Sequence, residues 1–161
     1  MTCTIRPAAP QDHAALAEQF LGLNLYEEGI SHDRRTDVAG GEESLEVAWD
    51  RVRETGGHAL VAELDGSVVG HMFMIFHDEP VFVREDLRRH AYVTDLFVRE
   101  AARGRGIASA LLAQAELLAK EGGVRRLMIG VLAGNHAAEA LYARLGFTAH
   151  AHELAKPVGG A

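Results

Sequence analysis

Between Ile107 and Leu118 apolar residues fall at 107, 111, 115 and 118, with Gln114, Glu116 and Lys120 on other sides. This is the period of an amphipathic helix, predicted over 107–121 and stopped by Gly122-Gly123. Just upstream, Ala91–Val98 is β-branched, aromatic and apolar on nearly every side, the pattern of a buried strand. The same reading predicts a short strand at Thr2–Arg6, ended by Pro7 and Pro10. Asp12 then stands where it would cap a helix carrying Ala15, Leu16, Phe20 and Leu23. Residues 27–43, with three glycines and paired acids, read as a loop or broken helix; Ser44 precedes a helix from Leu45 to Arg53, ended by Gly56-Gly57. His58–Leu64 and Ser67–Phe76 are strands joined by the hairpin pair Asp65-Gly66, and a charged loop spans 77–90. Arg126–Leu132 is another strand, Asn135 caps a helix over Ala137–Leu145, and Gly146 closes it. Thr148–Val158 alternates weakly, enough for one or two final strands. The order is that of an α/β chain with a mixed sheet.

The turn between the central strand and its helix reads Arg103-Gly104-Arg105-Gly106. A helix start presents unpaired N–H groups and a dipole that favours anions; glycines let a phosphate approach, and arginines add charge-assisted hydrogen bonds. The stretch reads as a phosphate cradle. A Walker loop is excluded because no G-x-x-x-x-G-K-[ST] occurs, and a dinucleotide fingerprint would want Gly or Ala where Ser109 stands.

Composition narrows the setting. The chain of 161 residues is expected to form a single domain over 1–161, with 48% apolar and 24% charged residues, ordinary for a globular protein. No run reaches a membrane span, no signal pattern opens the chain, and the single Cys3 fits a reducing compartment, so a cytoplasmic protein is expected. The net charge of −7 argues against nucleic-acid binding. Residues 1–90 hold 17 acidic and 8 basic residues, a net of −9; residues 91–161 hold 6 and 8, a net of +2. A cationic ligand is favoured by the first half, although an acidic surface also serves solubility. Nine histidines form no H-E-x-x-H or Cys/His cluster, so no metal site is expected.

Two motifs carry a resemblance. Arg103, Gly106 and Ala108 match [QR]-x-x-G-x-[GA], and N-H-A-A-E-A-L-Y-A-R-L-G-F at 135–147 matches N-x-x-A-x-x-x-Y-x-x-x-G-F. In this order, one strand apart, they resemble motifs A and B of the GNAT superfamily of acetyl-CoA-dependent N-acetyltransferases. The resemblance covers nearly the whole chain. It implies a mostly antiparallel sheet of about six to seven strands flanked by about four helices. It also implies that Leu96, Phe97 and Val98 pair with the pantetheine arm of coenzyme A. The pyrophosphate would be held by Arg103, Gly104, Arg105, Gly106, Ile107, Ala108 and Ser109. Asn135 and Tyr142 would contact the cofactor, and Tyr142 would protonate the departing thiolate as general acid. The acetyl group would pass directly to a primary amine, of a small molecule or a peptide, and homodimers are common among such proteins.

The general base is the weak point of the resemblance. Relatives with E-D-[LF]-[FY]-V carry Glu where Thr94 stands in Thr94-Asp95-Leu96-Phe97-Val98. On a regular strand Asp95 faces away from Thr94 and does not inherit that role. Glu27, Glu28, Glu63, His71 and His77 remain candidates. The acceptor is expected to enter from residues 24–43 and 77–90. Two other readings stand beside enzyme: an acyl-CoA-binding sensor or scaffold without turnover, and a nucleotide-binding domain.

Overall fold

The computed structural model describes residues 3–159. Five strands, β1 (Cys3–Pro7), β2 (His58–Leu64), β3 (Ser67–Asp78), β4 (Arg89–Val98) and β5 (Leu127–Ile129), form one sheet in the order β1-β2-β3-β4-β5. The first three pairings are antiparallel and β4–β5 is parallel, so the sheet is mixed and mostly antiparallel. Helices α1 (His13–Ser31) and α2 (Val38–Thr55) cover one face, and α4 (Ile107–Glu121) covers the other; α3 (Glu85–Arg88) is a single turn before β4, and α5 (His136–Arg144) follows β5. This is the expected α/β class with fewer strands. Residues 148–158, expected to supply the remaining strands, have no regular structure, and all are exposed.

Each face has its own core. Leu16, Phe20, Leu45, Ala48 and Val52 pack on Val61, Phe73 and Ile75. On the opposite face Ile107, Leu111, Leu112 and Ala115 pack on Ala62, Met72, Met74 and Val93. These are the two parities of the same strands, as a period of two requires. The β2–β3 hairpin turns on Asp65 (φ 50°) and Gly66 (φ 78°), the left-handed pair that a two-residue turn needs.

Several expected caps are replaced by other contacts. Residues 27–31 and 38–43 are helical, so both N-terminal helices are longer than the periodicity suggested. Ser44 lies inside α2, its hydroxyl donating to the Gly40 carbonyl at 2.6 Å. Asp12 holds the N-cap position of α1, but its side chain makes no capping hydrogen bond to the helix. It takes a forked pair from Arg6 (2.7 and 2.9 Å) and the Ala9 N–H (2.8 Å), which pins β1 to the start of α1. Arg6 also donates to Glu63 on β2, and its bonds to Asp12, with the Ala9 N–H, hold the Asp12 carboxyl below its ordinary range. Asn135 does cap α5, accepting from the Ala138 N–H at 3.3 Å.

Candidate active site

The site begins where the two parallel strands part. β5 pairs with β4 only across Ala91–Val93, and beyond that point Thr94–Val98 and Gly130–Leu132 diverge. At the fork a side chain on residue 130 would strike the Tyr92 hydroxyl, 2.8 Å from an added Cβ, so glycine allows the strands to approach there. The widening gap is a cleft of about 460 Å³. It is floored by Thr94–Val98 and walled by the 103–109 turn on one side and α5 on the other, with the second half of α1 along its rim.

The turn is open, as an anion cradle requires. Gly104 (φ 73°) and Gly106 (φ 77°) both take left-handed conformations, and nothing lies within 4 Å of an added Cβ at either. Gly106 is the N-cap of α4, so the unpaired N–H groups of the first turn face the cleft wall. Of the residues that the motifs singled out, Leu96, Phe97, Val98, Arg103, Gly104, Gly106, Ile107, Ala108, Ser109, Asn135 and Tyr142 line this one cleft; Arg105 does not. The Ile107 side chain is 3% exposed and belongs to the core. Arg103 is already engaged: its Nε donates to the Val98 carbonyl at 3.0 Å, and its guanidinium lies over the rings of Tyr26 (5.2 Å) and Phe97 (5.8 Å).

Helix α1 supplies a further wall. Leu23 from its apolar stripe, the base candidate Glu27 and Tyr26, which periodicity alone does not single out, line the cleft, and Gly22 lets α1 rest against Phe97. The Tyr26 hydroxyl donates to Asn135 Oδ1 at 3.2 Å, joining α1 to the start of α5 across the cleft. The apolar stripe 16, 20, 23 points to 27 at the next helical step, so extending that helix would have found this wall. No residue of 77–90 lines the cleft; that stretch, which forms the end of β3, the turn α3 and the first residues of β4 instead of one loop, lies at the other end of β4, and the expected entry on its side is corrected.

The ladder between β3 and β4 also corrects the placing of Asp95. Met74 stands opposite Val93, yet Phe73 stands opposite Asp95, so Thr94 is an extra residue in β4. Thr94 uses its hydroxyl on the Phe73 carbonyl at 3.4 Å. The slip moves Asp95 onto the parity of Phe73 and Phe97, the α1 face, instead of the apolar α4 face. There the half-buried carboxyl lines the cleft. Burial pushes it up to about 6, against a Thr94 hydrogen bond and the Arg51 charge, with Glu27 adding to the rise. The Tyr142 phenol is pushed up to about 12 by burial, with Glu27 and Tyr26 contributing. Glu27 thus stands near both groups.

The other base candidates are placed elsewhere or occupied. Glu27 lines the cleft but accepts from Arg34 Nε at 2.7 Å, and Glu28 accepts from the Arg34 N–H. Glu63 on β2 pairs with Arg6 on β1, and His77 is exposed at the end of β3. His71 is fully buried between Phe20 (4.6 Å) and Phe97 (6.0 Å), with Nδ1 3.0 Å from Gln19 Oε1; burial lowers it to about 3, so it is neutral.

No helix among the described residues is long and apolar enough to cross a membrane. No curated protein matches the sequence. Solved structures do match in shape. A predicted acetyltransferase with acetyl-CoA from Clostridium acetobutylicum is 20% identical, with 97% of this chain and 96% of that chain covered and a TM-score of 0.71. An aminoglycoside antibiotic 6′-N-acetyltransferase from Acinetobacter haemolyticus is 19% identical, covering 97% and 99%, with a TM-score of 0.70. A ribosomal-protein-alanine N-acetyltransferase from Brucella melitensis biovar Abortus 2308 is 23% identical, covering 98% and 100%, also at 0.70. At such identities the likeness is one of fold. The acetyltransferase (GNAT) family model matches residues 26–147, from the α1 wall through both motifs to Phe147, and the chain belongs to that family.

Proposed function

We propose that the protein transfers an acetyl group from acetyl-CoA directly to a primary amine in the cleft between β4 and β5. The observation that carries this reading is the cleft itself. Its floor is strand backbone without a ladder partner on the β5 side, its wall holds an open helix start, and Asp95 and Tyr142 line it. Unpaired backbone groups suit the amides of a pantetheine arm, and the Gly104–Ser109 turn suits a pyrophosphate.

The chemistry follows from the two ionisable groups. An alkyl ammonium near pKa ~10.4 lies about four units above Asp95, so the carboxylate does not strip the resting acceptor. The neutral fraction attacks the thioester carbon; as the N–C bond forms, the nitrogen becomes acidic and its proton passes to Asp95. The C–S electrons leave with sulfur. A phenol near 12 stays protonated at neutral pH and always offers a hydrogen bond to that sulfur. Full transfer to a thiolate, with a thiol reference of ~8.5, is uphill by about three and a half units. Tyr142 therefore acts chiefly by hydrogen-bonding the developing thiolate. With Cys3 on β1 outside the cleft lining, no acyl-cysteine step is invoked.

The acceptor is a small cationic amine in this reading, favoured by Asp95 in the floor and Glu27 at the rim and by the acidic first half of the chain. The reading is tested by titration calorimetry with acetyl-CoA, NADH and ATP, followed by thiol release over a panel of amines. Micromolar binding of acetyl-CoA alone, with turnover, is expected. Binding without turnover on any amine would favour a sensor or scaffold, and equal Michaelis constants for neutral and cationic amines at low salt would remove the cationic acceptor.

A further inference from the structure

Helix α1 rests on both sides of the cleft. Gly22 seats it on Phe97 of the floor, and in its last turn the Ile30 side chain lies 3.6 Å from where a Cβ on Gly134 would stand, just before α5. Between these supports Tyr26 touches both walls. Its ring lies 5.2 Å from the Arg103 guanidinium, and its hydroxyl donates to Asn135 Oδ1 at 3.2 Å. Both of these partners line the cleft, and both carry donors that the fold leaves unspent. Asn135 Oδ1 accepts twice, from Tyr26 and from the Ala138 N–H, which fills its two lone pairs. A backbone N–H can only donate, so the oxygen has to face Ala138 and the amide orientation is fixed. The Nδ2 group has no hydrogen-bond partner among the described residues. Arg103 spends Nε on the Val98 carbonyl, and its Nη groups likewise have no partner among the described residues.

We propose that Tyr26 is a positioning residue for the cofactor: its ring fixes the Arg103 guanidinium and its hydroxyl fixes the Asn135 amide, so that coenzyme A meets donors on both walls already set. Tyr26 has this task only if the cleft takes coenzyme A, as proposed above. Tyrosine can do both at once, because its face attracts a cation and its far end is a hydrogen-bond donor. The gain is one of order. Arginine and asparagine side chains that are free to turn lose rotamer freedom when they close on a ligand, and side chains held beforehand lose less. The hydroxyl matters most on the α5 side. That helix buries no residue of its own, so the Tyr26 bond is one of the few ties on its first turn. The ring acts on the other wall, where the Arg103 guanidinium lies between Tyr26 and Phe97. Ring and hydroxyl therefore serve different walls and can be removed separately.

The test reads coenzyme A affinity by titration calorimetry, with kcat and the KM for acetyl-CoA beside it. The full-length proteins are the parent, Tyr26→Phe, Tyr26→Leu, Asn135→Ser and the double variant Tyr26→Phe/Asn135→Ser. Phenylalanine keeps the ring and removes the hydroxyl, leucine removes both, and serine still caps α5 but has no amide. Tyr26→Phe is expected to weaken coenzyme A about five-fold and to raise the KM for acetyl-CoA in step, with kcat within about two-fold of the parent. Tyr26→Leu should weaken it by about a further two- to five-fold, because Arg103 is then released as well. In the Asn135→Ser background the hydroxyl has no amide to hold, so the double variant should bind like Asn135→Ser alone. Additive losses would overturn the proposal, since the hydroxyl would not be acting through Asn135. A change confined to the KM of the amine would set Tyr26 against the acceptor and would also overturn it. Tyr26→Phe at parent affinity removes this role alone, whereas a parent that binds no coenzyme A removes the cofactor reading of the cleft together with it.

Discussion

Phe73 on β3 stands opposite Asp95 on β4, where an unbroken ladder would have set Thr94. One extra residue therefore turns a carboxyl away from the apolar α4 core and into the cleft. If Asp95 is the proton acceptor, Asp95→Asn lowers kcat/KM by about 10²–10⁴ while acetyl-CoA affinity stays within about two-fold. The acid limb of the parent's kcat/KM profile should fall near pH 6, matching the raised carboxyl, and disappear in the variant. Stopped-time thiol release across pH 5–9 reads both. An unshifted limb would assign it to another group.

The same carboxyl should weaken the fold. Its folded pKa is raised above the ordinary 3.8, so the native state holds the proton more tightly than the unfolded chain. Stability is then highest below about pH 4 and is lost as pH rises through about 6. The full shift would correspond to ~3 kcal/mol, which partial exposure reduces to about 1–2 kcal/mol. Asp95→Asn is expected to be more stable than the parent by that amount at pH 8, and equal to it near pH 4. Urea midpoints at the two pH values decide it, and a variant less stable at pH 8 would show that the carboxylate is well compensated.

For Tyr142→Phe the expectation is a fall of about ten- to a hundred-fold in kcat, the loss of one hydrogen bond to the charged leaving sulfur. Coenzyme A affinity should stay near normal, since the ring still packs on Phe147. No alkaline limb from this phenol should appear below pH 10 in the parent, because the group titrates near 12. Unchanged turnover would reduce Tyr142 to a core aromatic.

Gly106 caps α4 with φ 77° and open space around it. Gly106→Glu would add left-handed strain of about 1–2 kcal/mol and set a carboxylate in the cradle. Acetyl-CoA binding should fall below detection in calorimetry, while far-ultraviolet dichroism remains that of the parent. Retained affinity would mean the turn does not hold the phosphates.

Asp12 offers the opposite linkage. Its carboxyl is depressed by Arg6, so it stabilises the fold above the ordinary carboxylate range, and that stability is lost as pH falls through its lower folded value. Asp12→Ala should cost about 1–3 kcal/mol at pH 7, because it removes the forked pair and frees the Ala9 N–H. The gap between parent and variant should narrow below pH 4 in urea titrations.

Much of this protein is determined locally and was legible in its residues. The 107–121 helix, the Asp65-Gly66 hairpin and the Asn135 cap each depend on period or on one side chain's preference near its own backbone. The cleft-lining turn at 103–109 was visible for the same reason, since glycine and helix-start chemistry are properties of consecutive residues. What tertiary structure decided are the relations between distant segments. The bulge that redirects Asp95 exists only in the pairing of β4 with β3, and alternation along β4 alone gave the wrong face. Tyr26 and Glu27 reach the cleft because α1 runs on to Ser31 and rests on Phe97 through Gly22. The tail carried enough alternation to suggest strands, yet a strand exists only with a partner edge, and a single chain leaves that edge and that tail apart.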